Sequence, residues 1–423
     1  MRIELAQPLA EELAATYGTP LYVYDLDVVA QRVDALRAAL PERFDLAFAV
    51  KANPSLAVLA HLAGLGVGAD VASGGELEAA LRAGVAPQRI VFTGPGKRDD
   101  ELARAVVAGL GAVTVESLGE LERVAQLARS AARRVPVLLR ASSGGHDDGS
   151  IITAGFDKFG MLLDDLERGA RLAAAHPHLE LLGLHAFSAS NVRDAAVLAD
   201  HARTTLVGAA ALGRLVDVPV RLVDIGGGLG IPYADDEAPL DLARLRTALA
   251  EVAAYAADEP MLADARVLLE PGRFLLGPAG AYLSRVLDVK AAPQGSVAIV
   301  DGGIHHLLRP ALLGQSQRLR LLATDDERPI GAVSVAGPLC TGLDRFAVGA
   351  SLGLPRRGDL LAVLDAGAYG FTESMPLFLS HPMPAEVALR GGQAFLVRPR
   401  LEPAELLDRQ RTLAEPVRAV ADS

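Results

Sequence analysis

Residues 46–52 read LAFAVKA, a short apolar run that ends in a lysine and precedes an Ala/Leu-rich stretch at helical spacing. This unit, an apolar run, a turn of small residues and a helical pattern, recurs as far as residue 272. The eight runs are LAFAVKA (46–52), VGADVAS (67–73), IVFTG (90–94), AVTVES (112–117), VPVLLRAS (135–142), LLGLHAFS (181–188), VRLVDIGGG (220–228) and RVLLEPG (266–272). Eight strand–helix units in succession predict an α/β fold, a (β/α)8 TIM-like barrel, which typically takes about 250 residues.

A different pattern follows the last of these runs. Short β-rich runs separated by Gly and Pro predict a C-terminal antiparallel β domain: AYLSRVLDV, SVAIVDGG, AVSVAG, DLLAVLDAG and AFLVRPR. The early run PLYVYD (20–25) reads as a strand that pairs with this second domain. We therefore expect a barrel over residues 29–274 and a β domain formed by 1–28 and 275–423. The segment SSGGHDDGS (142–150) is typical of a mobile loop.

The composition narrows the class of protein. The chain has 423 residues, is 51% hydrophobic and carries a formal net charge of −11, which predicts a large core and disfavours nucleic acid as a partner. One cysteine allows no intramolecular disulfide and favours a reducing cytoplasm. Neither a signal peptide nor an apolar run long enough for a membrane span is recognisable in the sequence.

Polar residues stand where the predicted barrel strands end. They are Lys51, Asp70, Ser73, Thr93, Glu116, Arg140, His185, Ser188, Asp224, Gly226 to Gly228, Glu270 and Arg273. Because the loops after barrel strands converge on one mouth, these side chains predict a shared active site.

Three of these features together indicate a cofactor. If Lys51 is held in an apolar mouth, its ammonium form is disfavoured and its neutral amine can form a Schiff base. The plainer alternative is that Lys51 is a solvent-exposed lysine at the end of a strand. DIGGGLG (224–230) can present backbone N–H groups to a phosphate and lacks the dinucleotide spacing. Glu270 can hold a pyridine nitrogen protonated, or it can simply pair with Arg273. A Schiff-base lysine facing a phosphate loop suggests pyridoxal 5'-phosphate. We expect no metal in the site.

The motifs also follow a known order. FAVKANP, DVASGGEL, DIGGGLGIPY, EPGR, HHLLRPAL, GPLC and DAGAYG occur in turn over roughly residues 17–390. In this the chain resembles the fold-type III pyridoxal phosphate decarboxylases, among them diaminopimelate and ornithine decarboxylase. The resemblance implies an amino-acid decarboxylase, a carboxy-lyase of amino-acid metabolism.

The resemblance also implies roles for individual residues. Lys51 and Cys340 would be catalytic, Lys51 as the Schiff-base lysine. The cofactor would be held by Lys51, Asp70, His185, Phe187, Ser190, Gly226, Gly227, Gly228, Glu270, Gly272, Arg273 and Tyr369. The substrate would meet Arg273, Arg309, Leu313, Thr341 and Tyr369.

The family is typically a head-to-tail homodimer with shared active sites. The cysteine of GPLC enters the partner's site there, which implies that Cys340 acts in trans. An ordinary cysteine thiol, with a pKa of about 8.5, keeps its proton at neutral pH and can return it to the product.

Three departures from the diaminopimelate decarboxylase pattern bear on the substrate. HAFSAS (185–190) has Phe187 in place of the second, ring-stacking histidine and Ala189 in place of a glycine. Thr341 stands where a glutamate would meet the distal ammonium, and Leu313 where a tyrosine is expected. These changes leave Arg309 as the main distal charge and resemble a natural-product branch of the family. We therefore expect an amino acid or a derivative, free or tethered to a carrier protein.

Alternatives remain open at this point. The chain could be a diaminopimelate decarboxylase proper. A racemase usually places an arginine at the pyridine nitrogen, where this chain has Glu270. A non-catalytic pyridoxal phosphate carrier has no obvious use for a C-terminal domain with Cys340 and Tyr369. A metal site at His305 and His306 is disfavoured, because adjacent side chains on a strand point apart.

Overall fold

The computed structural model describes residues 1–142, 158–293, 295–314, 317–323 and 328–412. The described residues form a closed barrel of eight parallel strands and a separate nine-stranded sheet. The loop expected at 142–150 lies outside the described residues from position 143 onward. Among the described helices, none has the length and apolar character that a membrane span requires.

The strands run in chain order as follows: β1 (Leu21–Asp25), β2 (Phe44–Ala49), β3 (Gly68–Val71), β4 (Ile90–Phe92), β5 (Ala112–Val115), β6 (Val135–Arg140), β7 (Leu179–His185), β8 (Leu222–Asp224), β9 (Arg266–Leu269), β10 (Gly280–Ala292), β11 (Gly295–Val300), β12 (Leu319–Leu322), β13 (Ile330–Ala336), β14 (Arg345–Gly353), β15 (Leu360–Leu364), β16 (Ala385–Arg390) and β17 (Gln393–Arg398). Strands β2 to β9 form the barrel, and β2 pairs with β9 in parallel to close it. The predicted (β/α)8 barrel is confirmed, and each of the eight runs overlaps one of its strands.

The helices are α1 (Gln7–Tyr17), α2 (Leu26–Ala39), α3 (Leu56–Gly64), α4 (Gly74–Arg82), α5 (Asp99–Ala108), α6 (Leu118–Ser130), α7 (Leu163–Ala175), α8 (Ala195–Val216), α9 (Leu242–Asp258), α10 (Arg273–Leu276), α11 (Arg309–Leu313) and α12 (Pro403–Leu407). Helices α3 to α9 each follow a barrel strand. After β9 only the four-residue α10 follows, and α2, which precedes β2, packs against both α9 and α10. The ring of helices is therefore closed by a helix from the start of the chain.

Small and branched side chains fill the barrel interior. Ala47, Val91, Ala112, Leu138 and Leu268 are buried together there, as expected for a barrel whose centre is a packed core. A much larger apolar cluster lies between the strands and the surrounding helices. Polar groups are thereby confined to the rims of the barrel.

The second sheet has the order β14-β13-β11-β10-β1-β16-β17, and β15 pairs with both β10 and β12. The early strand β1 lies in its centre, antiparallel to β10 and parallel to β16, which confirms that it pairs with the C-terminal strands. Alternate residues of β1 face two different cores, Tyr22 and Tyr24 on one side and Leu21 and Val23 on the other.

The expected antiparallel β domain is confirmed as a mostly antiparallel sheet. Two of its strand pairs, β1–β16 and β11–β13, are parallel. Strands β12, β14 and β16 were not among the predicted runs. The parallel pairs arise because β1 enters from the far end of the chain and because α11 and β12 intervene between β11 and β13.

Candidate active site

A cavity opens at the end of the barrel where the strands terminate. Its empty volume, including the open mouth, is about 950 Å³. It is lined by Ala49, Lys51, Ala72, Thr93, Gly94, Pro95, Arg140, Phe159, His185, Phe187, Ser190, Asn191, Gly227, Gly228, Leu229, Glu270, Gly272, Arg273 and Tyr369. Most of the polar residues expected at one mouth therefore do lie together.

Lys51 rises from the turn after β2 and makes an ion pair beneath the cavity. Its Nζ lies 2.7 Å from Asp70 Oδ2, at the end of the neighbouring strand β3. Asp70 is buried, whereas 46% of the Lys51 side chain is accessible through the cavity. Burial alone would lower the pKa of Lys51, but the charges of Asp70 and Glu270 outweigh it and raise that pKa above its ordinary value.

This ion pair corrects the expectation that the mouth disfavours the ammonium form of Lys51. The mouth is not simply apolar, because a carboxylate lies within hydrogen-bond distance of the amine. An opposite charge at that distance favours the protonated amine. Lys51 is thus an ammonium group held in place by Asp70 until another group reacts with it.

Three buried polar side chains lie beside Lys51 at the ends of β7, β8 and β9. The ligand atoms of His185, Asp224 and Glu270 all lie within 4.8 Å of one another, and each residue is at most 5% exposed. Burial and the neighbouring Glu270 raise the pKa of Asp224 well above its usual range. Burial also opposes ionisation of Glu270, but His185 and Lys51 lower its pKa to about 2.

The two carboxylates therefore differ, because the pKa of Asp224 is raised and that of Glu270 is lowered. Glu270 Oε1 has no hydrogen-bond partner among the described residues, and its Oε2 lies 3.8 Å from His185 Nε2. Glu270 is thus a buried anion on the cavity lining, and such a group suits a cationic N–H donor. The same trio is also the only described set of His, Cys or carboxylate side chains close enough to hold a metal.

The glycine loop after β8 is shaped by close contacts. Gly226 and Gly228 have φ angles of +63° and +91°, a region that favours glycine. A Cβ on Gly228 would lie 2.5 Å from the carbonyl oxygen of Ala189, and one on Gly227 would lie 2.3 Å from that of Glu270. The loop lies against β9 and the segment after β7 with no room for side chains, as a backbone cradle for an anion requires.

A buried arginine stands next to this loop. Arg273 donates to the Tyr233 hydroxyl at 2.6 Å and to Ser190 Oγ at 3.3 Å. Its guanidinium carbon lies 4.7 Å from the centre of the Tyr369 ring. Tyr369 itself has a φ of +55°, a strained conformation for a residue with a side chain. Arg273, Ser190 and the glycine loop together offer several N–H and O–H groups to one anion.

Of the substrate residues expected in the β domain, Tyr369 lines this cavity, whereas Arg309, Leu313 and Thr341 do not. Arg309 lies behind Tyr369, with its guanidinium carbon 4.9 Å from the ring centre, and pairs with Glu373 at 2.8 Å. Leu313 ends α11 and is partly buried. Thr341 is partly exposed and Cys340 is exposed. The expectation that Arg309 is the main distal charge is thus modified, because Glu373 neutralises it.

The loop that carries Cys340 is held by one buried carboxylate. Asp344 accepts hydrogen bonds from the backbone N–H groups of Ile304 and Leu339, at 2.8 and 2.7 Å. Cβ atoms on Gly303 and Gly337 would lie within 2.5 Å of its oxygens. The exposed thiol therefore stands on a fixed loop.

His305 and His306 require a correction to the geometric reasoning. They lie in a turn rather than on a strand, and their ring centres are 3.7 Å apart. His306 is engaged with the Tyr282 hydroxyl and the carbonyl of Pro382, both at 3.0 Å. In the described part of the chain, neither histidine belongs to a group of three side chains that could hold a metal ion together.

Sequence reasoning missed several residues at the cavity. Tyr233 belongs to the quoted GIPY segment, yet no role was assigned to it. Phe159 and Asn191 also line the cavity. Arg140 was noted at a strand end, but its ion pair with Glu116 at 2.8 Å was not. The polar character of strand-end residues was a usable signal for Arg140, whereas Tyr233 reaches Arg273 through a loop contact that spacing does not reveal.

Comparison with known proteins identifies the family. The family model "Pyridoxal-dependent decarboxylase, pyridoxal binding domain" matches residues 26–277. The chain belongs to the pyridoxal-dependent decarboxylases. It is a carboxy-lyase of the diaminopimelate and ornithine decarboxylase family, and its cofactor is pyridoxal phosphate.

Relatives of this decarboxylase match over nearly the whole chain. Diaminopimelate decarboxylase of Zymomonas mobilis is 33% identical over 406 residues, which are 94% of this chain and 93% of that protein. The L-glutamyl-[BtrI acyl-carrier protein] decarboxylase of Niallia circulans is 30% identical over 410 residues, 94% of each. The crystal structure of Helicobacter pylori diaminopimelate decarboxylase complexed with L-lysine has a TM-score of 0.86 and 28% identity, and the match covers 94% of this chain and 98% of that one.

The cavity of this decarboxylase fits its cofactor. The buried carboxylate of Glu270, the glycine loop without space for Cβ atoms, and the accessible amine of Lys51 surround one space. These three features match the ring nitrogen, the phosphate and the aldehyde of pyridoxal phosphate, respectively. No other group has to be invoked to explain why they converge.

Proposed function

We propose that this decarboxylase removes the α-carboxylate of an amino acid or amino-acid derivative other than free diaminopimelate, with Lys51 as the Schiff-base lysine. The observation that supports this most is the placement of Lys51, Glu270 and the glycine loop around one cavity. When bound, pyridoxal phosphate supplies an electron sink for the cleavage of a bond at the substrate's α-carbon.

Each residue around the cavity has a task in this proposal. Lys51 would hold the cofactor through its side-chain amine, and Asp70 keeps that amine aimed at the cavity. Glu270, whose pKa is lowered by His185 and Lys51, would hold the ring nitrogen as a carboxylate. The backbone of Gly226 to Gly228, Ser190 and Arg273 would bind the phosphate.

Other cavity residues enclose this arrangement. Gly272 permits close approach of β9 to the Lys51 turn, because a Cβ there would lie 2.8 Å from that of Ala52. Phe187 packs against Gly226, whose Cβ would lie 2.9 Å from the ring. We assign Phe187 and His185 to the walls around the cofactor ring, and Tyr369 to the boundary between the cofactor and the substrate.

The substrate is inferred from the distal positions. Thr341 cannot pair with a distal ammonium, and a lost hydrogen bond to a charged group costs about 1.5–3 kcal/mol. Leu313 is apolar, and Arg309 is already paired. The similarity to both a diaminopimelate decarboxylase and a carrier-protein-specific decarboxylase leaves two substrate classes to compare, a free amino acid and one tethered to a carrier protein.

Cys340 completes the proposal as a proton donor in trans. Its thiol is exposed and lies outside the cavity lining of its own chain. A symmetric dimer can bring such a loop to the neighbouring mouth. We propose a cytoplasmic homodimer with shared active sites, with the barrel over 29–274 and the β domain over 1–28 and 275–423.

A substrate panel tests the proposal. CO2 release would be compared among diaminopimelate, ornithine, lysine, glutamate and carrier-linked glutamate. The proposal expects turnover of an amino acid in this set or a related one, with diaminopimelate poor. Efficient decarboxylation of diaminopimelate would instead favour a diaminopimelate decarboxylase proper.

A further inference from the structure

Arg309 and Glu373 form an ion pair that is separated from the cofactor cavity by one side chain. Arg309 is 7% exposed, and its Nη1 donates to Glu373 Oε2 at 2.8 Å. Its guanidinium lies against the Tyr369 ring, and Tyr369 lines the cavity. The pair therefore lies behind Tyr369, which comes from the segment after β15 and lines the cavity.

The geometry of the pair is fixed on both sides. Ser374 Oγ accepts from the backbone N–H of Leu308, the residue before α11, and donates to the carbonyl of Gly370. The turn that carries Glu373 is thereby bound to the start of the helix that carries Arg309. A pair held in this way is preorganised, and Glu373 does not have to move to reach the guanidinium.

The Nε donor of the arginine remains without a partner in the part of the chain that the structure describes. Arg309 Nε is buried and has no hydrogen-bond partner among the described residues. A buried donor left without an acceptor costs free energy until a ligand or a water supplies one. The charge of the guanidinium, in contrast, is already compensated by Glu373.

Tyr369 stands between the pair and the cavity, so a distal group reaches Arg309 only when the Tyr369 side chain moves aside. The observations above determine which distal group the pair can then accept. A second carboxylate at Arg309 would place two anions around one buried cation, and the like charges would repel each other. A neutral carbonyl oxygen can accept the free N–H without that cost. We propose that Glu373 is a specificity-determining residue that makes Arg309 select a neutral distal acyl group, an amide, ester or thioester, over a free distal carboxylate.

This inference rests on the proposed decarboxylase function and narrows its substrate class. It also agrees with a carrier-tethered substrate, in which the distal carboxyl is bound as a thioester. The tethered form and a free amide or ester share the carbonyl chemistry, so separate arms of the test must distinguish them.

Matched substrate pairs test the inference. The protein loaded with pyridoxal phosphate would be tested with four pairs of an acid and its neutral derivative. Aspartate would be paired with asparagine, and glutamate with glutamine, with its γ-methyl ester and with its carrier thioester. Both kcat/KM for CO2 release and Kd, from the change in the visible absorbance of the bound cofactor, would be measured. The inference expects the neutral member of the pair to be preferred by about tenfold or more, the equivalent of a hydrogen bond to a charged group.

Variants separate specificity from folding. Glu373→Gln frees Arg309 and should shift the ratio of acid to neutral substrate by about tenfold towards the acid, and Glu373→Asp should restore the original ratio at least in part. Glu122→Gln, an exposed position on α6, removes the same charge elsewhere and should leave the ratio unchanged. Because each ratio compares two substrates of one protein, a loss of folded enzyme cancels out.

The outcomes distinguish the two proposals. The specificity role alone would be overturned by a wild type that binds or decarboxylates the pairs without preferring the neutral member. It would also be overturned if Glu373→Gln left the ratio of acid to neutral substrate unchanged. Binding of the pairs with the expected preference, but without CO2 release from any amino acid, would support the specificity role and overturn the decarboxylase proposal. Failure to bind any member of any pair would overturn the specificity role, and CO2 release in the substrate panel above would then decide on the decarboxylase proposal.

Discussion

Lys51 Nζ and Asp70 Oδ2 are 2.7 Å apart at the base of the cavity, one at the end of β2 and the other at the end of β3. The amine is therefore protonated and aimed before any cofactor arrives. In the proposed role of Lys51, capture of an aldehyde needs the neutral amine, so this ion pair would raise the pH at which the protein loads.

Asp70→Asn should make loading faster at neutral pH. Because the charge of Asp70 raises the pKa of Lys51, its removal lowers that pKa and increases the fraction of neutral amine. The rate at which the absorbance of bound pyridoxal phosphate appears should reach its plateau at a lower pH than in the wild type. Asp34→Asn, an exposed change on α2, is the control, and an unshifted profile in Asp70→Asn would contradict the role of the pair.

Glu270→Gln should separate cofactor binding from turnover. The carboxylate is ionised because its pKa is about 2, and an amide cannot supply that charge to a ring nitrogen. We expect the cofactor to bind with a modestly altered absorbance while kcat falls by about 100-fold, the size of an effect from a preorganised electrostatic group. Turnover within a factor of two of the wild type would refute this role for Glu270.

Gly228→Ala should weaken cofactor binding. The new Cβ would meet the carbonyl of Ala189 at 2.5 Å, and the φ of +91° is unfavourable for alanine. The Kd for pyridoxal phosphate, from an absorbance titration, should rise by about tenfold or more. Gly119→Ala, on α6 with nothing within 4 Å of the new Cβ, should bind normally and stabilise the protein by about 0.5–1 kcal/mol. Equal Kd values for the two variants would argue against the cradle.

Subunit mixing tests Cys340 in trans. Lys51→Ala and Cys340→Ala each inactivate a homodimer, but a mixed dimer has one site with both native residues and one with neither. Equal mixing should recover about a quarter of wild-type activity, since half the dimers are mixed and each has one working site. A mixture as inactive as its parents, with subunit exchange verified by native mass spectrometry, would place Cys340 outside a shared site.

The buried histidine turn should make folding sensitive to acid. Burial, and then the neighbouring His381, lowers the pKa of His305 from 6.5 to about 4. The unfolded chain therefore binds the proton first, and stability is lost as pH falls from about 6.5 towards 4. In denaturant titrations over that range, His305→Gln should reduce the pH slope of the unfolding free energy by about one proton. An unchanged slope would mean that His305 does not titrate differently on folding.

The barrel was predictable because its signal is periodic and local. Each strand run is followed by a turn and a helical pattern, and strand ends in a barrel share one mouth, so Lys51, His185 and Glu270 could be placed together from the sequence. The order of the second sheet was less accessible. Its parallel pairs depend on β1 and β13 meeting strands far away in the chain, and short runs such as β12 carry little pattern of their own.

The electrostatics of the site could not be predicted from residue types. An apolar strand before Lys51 suggested a lowered pKa, but the side chain of Asp70 from the adjacent strand reverses the direction. Arg309 was expected to be the main distal charge, but Glu373, 64 positions later in the chain, pairs with it and compensates that charge. In both cases the partner comes from another element, and only the fold brings the two together.

The most direct test of the account is the product assay by mass spectrometry on protein loaded with pyridoxal phosphate. Wild type and Lys51→Ala would be incubated with the panel of amino acids and carrier-linked amino acids. Decarboxylation would be detected as a product that is lighter than its substrate by the mass of CO2. The account predicts decarboxylation by the wild type of a substrate other than diaminopimelate, and none by Lys51→Ala. Efficient turnover of diaminopimelate as the preferred substrate, or equal activity in Lys51→Ala, would contradict it.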